Sequence, residues 1–371
     1  LFGESCYISR SSEGEFIVIQ PGVEDTDRVV GDVQRLLDAF SRPISTETGI
    51  EALFVVLSVG VAVHPDNGRD ASTLLKNADL AGLQAKNTNR KVVFYTEQLE
   101  DLIAENTLFR NRLFQSLQNN EFFLEFQPLI SSDTESVAGI EALLRWTADG
   151  NKRVPPDRFI PILEQTGLIY DVGLWVLEQA LEEHNRLLAK GFPPLRVSIN
   201  LSVVQFLVDD FIIDVSNAIK KSGVDPGYIE LEITESFFSE NPLRILDQIH
   251  QLKTLGVSIA IDDFGSGYSS FSRLKLIPFD RLKIDKKIID YIDLERRLAP
   301  LTEISISLAR TFKASVTAEG VETKGQADFL KSIGCDEIQG FYYSKPLSPE
   351  ALEEFLGKTP EDRLHLLESG F

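Results

Sequence analysis

From residue 121 onward the chain carries eight short apolar segments, mostly separated by helical stretches, and polar side chains stand where these segments finish. The segments run at 122–127, 137–143, 195–201, 229–233, 257–262, 281–284, 315–318 and 337–341. Helical periodicity recurs at 172–190, 211–222, 242–255, 294–312 and 324–333. Alternation of this kind over about 240 residues fits an eight-stranded α/β barrel. An open doubly wound sheet is the other architecture the pattern allows. Only a short polar link, 131–136, joins the first two strands. A parallel pair needs a longer crossover, so that pair should be antiparallel.

The polar groups at the strand ends are Gln127, Glu141, Asn200, Glu232, Asp262 with Asp263, Lys283, Glu319 and Gln339. In a barrel, the C-terminal strand ends converge on one face, which carries the active site. Five carboxylates in one cup would have to protonate in part unless cations neutralise them. Oxygen ligands favour hard ions, hence Mg2+ or Mn2+. Adjacent Asp262 and Asp263 suggest two ions sharing a carboxylate, the arrangement that clamps both oxygens of a phosphoryl displacement. The four histidines lie away from the strand ends, which argues against a histidine-rich metallohydrolase. Taken singly, each carboxylate also reads as a solvated charge or a helix cap. The stretch 262–267 joins paired ligands to a flexible loop, and its plain alternative is a Gly-rich turn. Lys283 on an apolar strand needs an anionic partner, either as a structural ion pair or within the site. Arg145 could grip a phosphate oxygen or belong to a surface ion pair.

The first 95 residues alternate strand patterns (15–20, 53–63, 92–95) with helical ones (27–40, 71–86), which suggests a small α/β or α+β unit. The run 52–63 is the longest uncharged apolar stretch; it reads as a buried strand and is too short to span a bilayer. Leu99, Leu102, Ile103, Phe109, Leu113 and Leu117 then recur at helical spacing, suggesting a connecting helix. It either passes a signal between domains or simply packs on the next one. Net charge is −20, from 37 basic and 57 acidic residues. Bulk attraction to DNA, RNA or an acidic membrane is therefore not expected. The two cysteines, Cys6 and Cys335, exclude a disulfide framework and fit a reducing cytoplasm. No signal peptide opens the chain, and the absence of methionine reads as a fragment of a longer protein, which a sensory or membrane segment could precede.

The strand-end motifs resemble the EAL-domain family of cyclic di-GMP phosphodiesterases. Glu141-Ala142-Leu143 is the name-giving triplet, within Glu-Ala-Leu-Leu-Arg-Trp. Phe126-Gln127-Pro128, Asn200-Leu201-Ser202, Glu232-Ile233-Thr234-Glu235-Ser236, and the nine residues from Asp262 to Ser270 match as well. So do Leu282-Lys283-Ile284-Asp285, Ala318-Glu319-Gly320-Val321-Glu322-Thr323 and Gln339-Gly340-Phe341. The resemblance implies a modified TIM-like (β/α)8 barrel with an antiparallel first strand, over residues 120–360. It implies hydrolysis of cyclic di-GMP to linear 5′-pGpG with two Mg2+ or Mn2+ ions, and a homodimer. By motif, Glu141, Asn200, Glu232 and Asp262 would bind one ion, and Asp262, Asp263 and Glu319 the other. Glu319 is alternatively the general base. Lys283 would orient the attacking water or the scissile phosphate. Gln127, Arg145 and Gln339 would contact substrate, Gln339 also supporting Glu319 and Lys283. Glu235 and Glu322 would brace the loop after Asp263. Ser266 in that loop stands where the family commonly has Thr, keeping the hydroxyl and losing a methyl.

Residues 1–96 resemble the C-terminal half of a GGDEF domain, through Ser58-Val59-Gly60-Val61-Ala62 and the nine residues from Ala78 to Lys86. The signature turn would be Ser12-Glu13-Gly14-Glu15-Phe16, of which only Glu15 and Phe16 match. Side chains at 12 and 13 would obstruct GTP where the family's glycines admit it. The upstream inhibitory Arg-x-x-Asp pattern falls on residues 3–6 and is lost, and the other metal-binding Asp would lie before residue 1. Cyclase activity is therefore not expected; the domain is a GTP-sensing or dimerising regulator, or a passive remnant, joined by a helix at 97–119. The barrel itself reads as a phosphodiesterase, a cyclic di-GMP receptor, or an interaction module independent of nucleotide. Retention of the full ligand set favours the first.

Overall fold

Contacts divide the chain into two compact units, residues 1–111 and 112–371. The structure is a computed structural model that describes residues 6–12, 14–23, 26–41, 55–87, 90–148, 152–234, 242–265, 274–294, 299–359 and 362–363.

In the first unit, β1 (Tyr7–Ser12) and β2 (Glu15–Ile19) form an antiparallel hairpin. Gly14 turns it at φ 82°, a conformation that costs glycine little. A helix at Thr26–Phe40 follows, then β3 (Val59–Val61), a helix at Ala71–Asn87, β4 (Val92–Phe94) and a helix at Glu97–Ser116. β3 and β4 pair in parallel. A Cβ on Gly60 would come within 2.1 Å of the Ala78 carbonyl oxygen, so strand and helix touch backbone to backbone. Ala81, Tyr95 and Leu99 form the local core. Of the expected strand at 53–63, residues 53 and 54 lie outside the described residues; among the rest only Val59–Val61 pair with β4, and Val56 is 87% exposed rather than buried. β1 was not expected from the sequence.

In the second unit the strands are β5 (Phe122–Ser131), β6 (Val137–Ala148), β7 (Lys152–Val154), β8 (Arg196–Asn200), β9 (Ile229–Thr234), β10 (Ser258–Phe264), β11 (Arg281–Ile284), β12 (Ser315–Ala318) and β13 (Glu337–Ile338). Hydrogen bonding runs β5-β13-β12-β11-β10-β9-β8-β6, and a β5–β6 pairing closes the barrel. β5 is antiparallel to both neighbours, as the short link requires. β7 adds antiparallel to the outer edge of β6. Helices at Ile169–Ala189, Phe211–Ser222, Pro242–Thr254, Ala299–Thr311 and Lys324–Ser332 flank the strands. Their stops follow local chemistry: Gly223 ends one in the left-handed conformation, and Thr323 with Gln326 forms a capping box at the start of another. Within the expected helix at 294–312, residues 295–298 lie outside the described residues; Leu294 belongs to a helix at Lys286–Leu294, and a helix at Ala299–Thr311 covers most of the rest.

Side chains alternate along each strand, so every second residue faces the barrel axis. Near the strand starts this brings Arg196, Glu230, Arg281 and Glu337 together. Arg196 pairs with Glu230 (3.1 Å) and Glu337 (2.5 Å), and Arg281 with Glu230 (2.9 Å) and Glu337 (3.1 Å). Ser198 donates to Glu230 at 2.8 Å, and Thr317 accepts from Arg281 at 3.2 Å. Two guanidinium groups and two carboxylates cancel in charge. Burial opposes ionisation of Glu230, but Arg281 and Arg196 outweigh it and hold the carboxyl below its ordinary range. Removing one partner leaves charges stranded. Glu230→Ala is expected to cost about 3–5 kcal/mol, read from urea unfolding; a loss under about 1 kcal/mol, typical of a surface pair, would contradict this.

Candidate functional site

Two residues further along the same strands lies the upper layer: Asn200 after Ser198, Glu232 after Glu230, Lys283 after Arg281, Glu319 after Thr317 and Gln339 after Glu337. Glu141 from β6, Gln127 from β5 and Asp262 from β10 join it. Lys283 is fully buried at the centre. Its Nζ lies 2.6 Å from Glu232 and Glu319, and 3.5 Å from Glu141 and Asp262. Asn200 Nδ2 donates to Glu141 Oε1 at 2.7 Å, and Gln339 Nε2 donates to Glu141 Oε2 at 2.7 Å. Gln339 Nε2 also reaches Gln127 Oε1 at 3.1 Å, while Gln127 Nε2 donates to the Ser344 carbonyl at 3.0 Å.

Asp263 follows Asp262 directly and should face the other way in a regular strand. Here the register with β11 shifts between Ile261 and Phe264, and Asp263 adopts φ 54°. Such a bulge re-aims a side chain, and Asp residues tolerate this conformation better than most. Oxygens of Asp262, Asp263 and Glu319 thereby come within 4.8 Å of one another.

The electrostatics are unbalanced. Five carboxylates against one ammonium leave four negative charges when all ionise. Burial acts against the charge of Lys283, but Asp262, Glu141, Glu232 and Glu319 outweigh it and hold the ammonium protonated. Burial also opposes ionisation of Glu141; Lys283, Gln339 and Asn200 overcome it and lower that carboxyl. Glu232 is pushed well up by burial, against Lys283, with the charges of Glu141, Asp262 and Glu319 adding to the push. Burial and Asp262 likewise raise Glu319, which Lys283 opposes. Burial, Asp262 and Asp285 push Asp263 up to about 6. Glu232 Oε1 is buried without a hydrogen-bond partner. An orphaned carboxylate oxygen, crowded acids and a bridging pair of aspartates suit divalent cations.

The structure thus brings together Gln127, Glu141, Asn200, Glu232, Asp262, Asp263, Lys283, Glu319 and Gln339. Arg145 stands further along β6, paired through Nε with Glu125 at 2.8 Å. Glu322 pairs with Lys286. Glu235 and Ser266 lie outside the described residues. Sequence reasoning gave no role to Asp285 beside Asp263, to the Ser344 carbonyl that fixes Gln127, or to Glu125, the partner of Arg145. Only Asp285 had a signal, within the Leu282-Lys283-Ile284-Asp285 motif.

Residues 110–346 match the family model described as EAL domain, and residues 3–92 match the model described as diguanylate cyclase, GGDEF domain. A signaling protein of Caulobacter vibrioides is 36% identical over 93% of this chain and 42% of its own length. The cyclic di-GMP phosphodiesterase NbdA of Pseudomonas aeruginosa is 33% identical over 95% of this chain and 45% of its own. The chain therefore spans less than half of these relatives. Among solved structures, the PaMucR phosphodiesterase in complex with cyclic di-GMP aligns with TM-score 0.62 at 36% identity, over 65% of this chain and 98% of that one.

Asp263 is protonated more readily folded than unfolded. Its protonation therefore stabilises the metal-free fold fully below about pH 4, and this is lost as pH rises through about 6. Cation binding needs the ionised form. Added Mg2+ should raise the melting temperature more near pH ~7.5 than near pH ~5.5, and Asp263→Asn should shrink that difference. A Mg2+ shift equal at both pH values would contradict this.

Proposed function

The chain belongs to the EAL-domain family, with a GGDEF-family segment ahead of the barrel, and on that premise we propose that the barrel hydrolyses cyclic di-GMP to linear 5′-pGpG. The observation that carries the reading is the layer of five carboxylates around buried Lys283 at the barrel mouth. Glu141, Asn200, Glu232 and Asp262 would hold one Mg2+ or Mn2+, and Asp262, Asp263 and Glu319 the second. Bound there, the ions would lower the pKa of water and neutralise charge growing on phosphorus oxygens.

The chain's own groups do the rest. In its alternative role as general base, Glu319 would take a proton from the attacking water. Lys283 offers a fixed ammonium 2.6 Å from Glu319, which orients that carboxylate and favours developing negative charge. Gln339 and Asn200 lock both oxygens of Glu141. Gln127, tied to the Ser344 carbonyl, has its Oε1 beside Gln339 and contacts substrate with it. Arg145 meets substrate from the rim. Glu235, Glu322 and Ser266 would support the loop beyond Asp263.

In this proposal residues 1–96 are a degenerate GGDEF domain without cyclase activity. Ser12 and Glu13 stand at sequence positions that glycines fill in the family's signature turn. Residues 97–119 are the connecting segment, helical over Glu97–Ser116, and 120–360 the phosphodiesterase domain. The first unit tunes the barrel, with GTP as its ligand and a homodimer as the assembly.

Cyclic di-GMP incubated with the chain and Mg2+ should yield pGpG by chromatography. EDTA should stop it, and Glu141→Ala should lower the rate by at least about 100-fold. Binding without product would make the barrel a receptor instead. GTP should alter the rate or KM for cyclic di-GMP; no effect on either would remove the sensing role.

A further inference from the structure

β5 and β6 continue outward past the carboxylate layer. Their register places Gln127 opposite Glu141, Glu125 opposite Leu143 and Phe123 opposite Arg145. β7 then places Arg153 opposite Thr147. Directly paired residues share a sheet face, and so do every second residues of one strand. Glu141, Arg145, Glu125, Phe123 and Arg153 therefore belong to one face that climbs from the catalytic layer to the rim. Arg145 is four residues beyond Glu141, about 13 Å at ~3.3 Å per residue. Groups that far out meet the remainder of a substrate rather than its scissile phosphate.

Glu125 is the joint of this ladder. One oxygen pairs with Arg145 Nε at 2.8 Å and the other with Arg153 Nη1 at 2.8 Å. Its side chain is 10% exposed, that of Arg145 19%, and that of Arg153 68%. The Arg153 guanidinium also lies over the Phe123 ring, 5.5 Å from the centroid. An exposed ion pair contributes little stability. Here a nearly buried carboxylate and a ring hold an otherwise free arginine in one pose beside a second arginine, with a net positive charge at the mouth of a strongly acidic chain.

We propose that Arg153 is a specificity-determining residue that reads the O6/N7 edge of guanine on the uncut half of the substrate, with Glu125 as the positioning residue that presents it. The inference rests on the hydrolase reading above. A guanidinium fork donates to O6 and N7 together, whereas adenine places an amino donor at position 6. Phe123 holds the guanidinium from one side, 5.5 Å from the ring centroid, while the Arg153 side chain stays 68% exposed.

The test compares wild type, Arg153→Leu and Arg153→Lys in the full chain with Mn2+. The substrates are cyclic di-GMP and the small diester bis(p-nitrophenyl) phosphate, with cyclic di-AMP as competitor. Arg153→Leu should raise KM for cyclic di-GMP about ten-fold or more and leave kcat nearly unchanged. The preference over cyclic di-AMP should narrow by a similar factor, and turnover of the small diester should not move. Arg153→Lys, which keeps the charge but not the fork, should restore only part of the loss. Unchanged KM, equal weakening toward both cyclic dinucleotides, or equal loss on the small diester would overturn the inference. A wild type that cleaves the small diester but not cyclic di-GMP would instead remove the hydrolase reading, and this inference with it.

Discussion

One buried ammonium surrounded by carboxylates is the constraint around which the barrel is organised. Lys283 contacts four acids from four different strands and is itself wholly enclosed. A lone buried lysine would lose its proton. Here the surrounding charge keeps it, and the lysine in turn lets several acids share one cup. The compensation is incomplete, because Asp263 and the excess of carboxylates remain. That surplus negative charge creates a demand for cations, and the demand links fold to function.

The layer beneath shows what a fully compensated arrangement looks like on the same strands. Arg196, Glu230, Arg281 and Glu337 balance, and every interaction is two-sided. A balanced polar layer can be static. An unbalanced one two residues higher draws in charge compensation, from protons or from cations. Strand alternation makes both layers from one repeat, and the C-terminal ends of the strands decide which layer meets the mouth. The antiparallel β5 contributes differently. It runs Gln127 across from Glu141 and then carries Glu125 and Phe123 outward, so one hairpin joins the catalytic layer to the rim.

The strand ends were readable because each places a polar residue after an apolar run, and a barrel collects such ends in one place. The antiparallel first pair followed from a link too short for a crossover. The lower network was not readable: Arg196, Arg281 and Glu337 sit at strand starts, where a charge ordinarily faces water. Only closure of the barrel turns those positions inward. β7 was hidden because three residues carry no periodicity. Asp263 was read as a ligand from its neighbour and from family resemblance. The bulge and left-handed backbone that aim it lie beyond any pattern of residue types. The run at 52–63 looked like a buried strand, but of its described residues, 55–63, only Val59–Val61 find a partner in β4.

The account stands most directly on the number of cations the upper layer holds. Titrating Mn2+ into the metal-free chain, with free Mn2+ followed by electron paramagnetic resonance, counts them without reference to turnover. Two ions per chain are predicted, with Asp262→Asn losing both because that carboxylate would serve both proposed sites. No bound ion, or two ions retained in Asp262→Asn, would contradict the account.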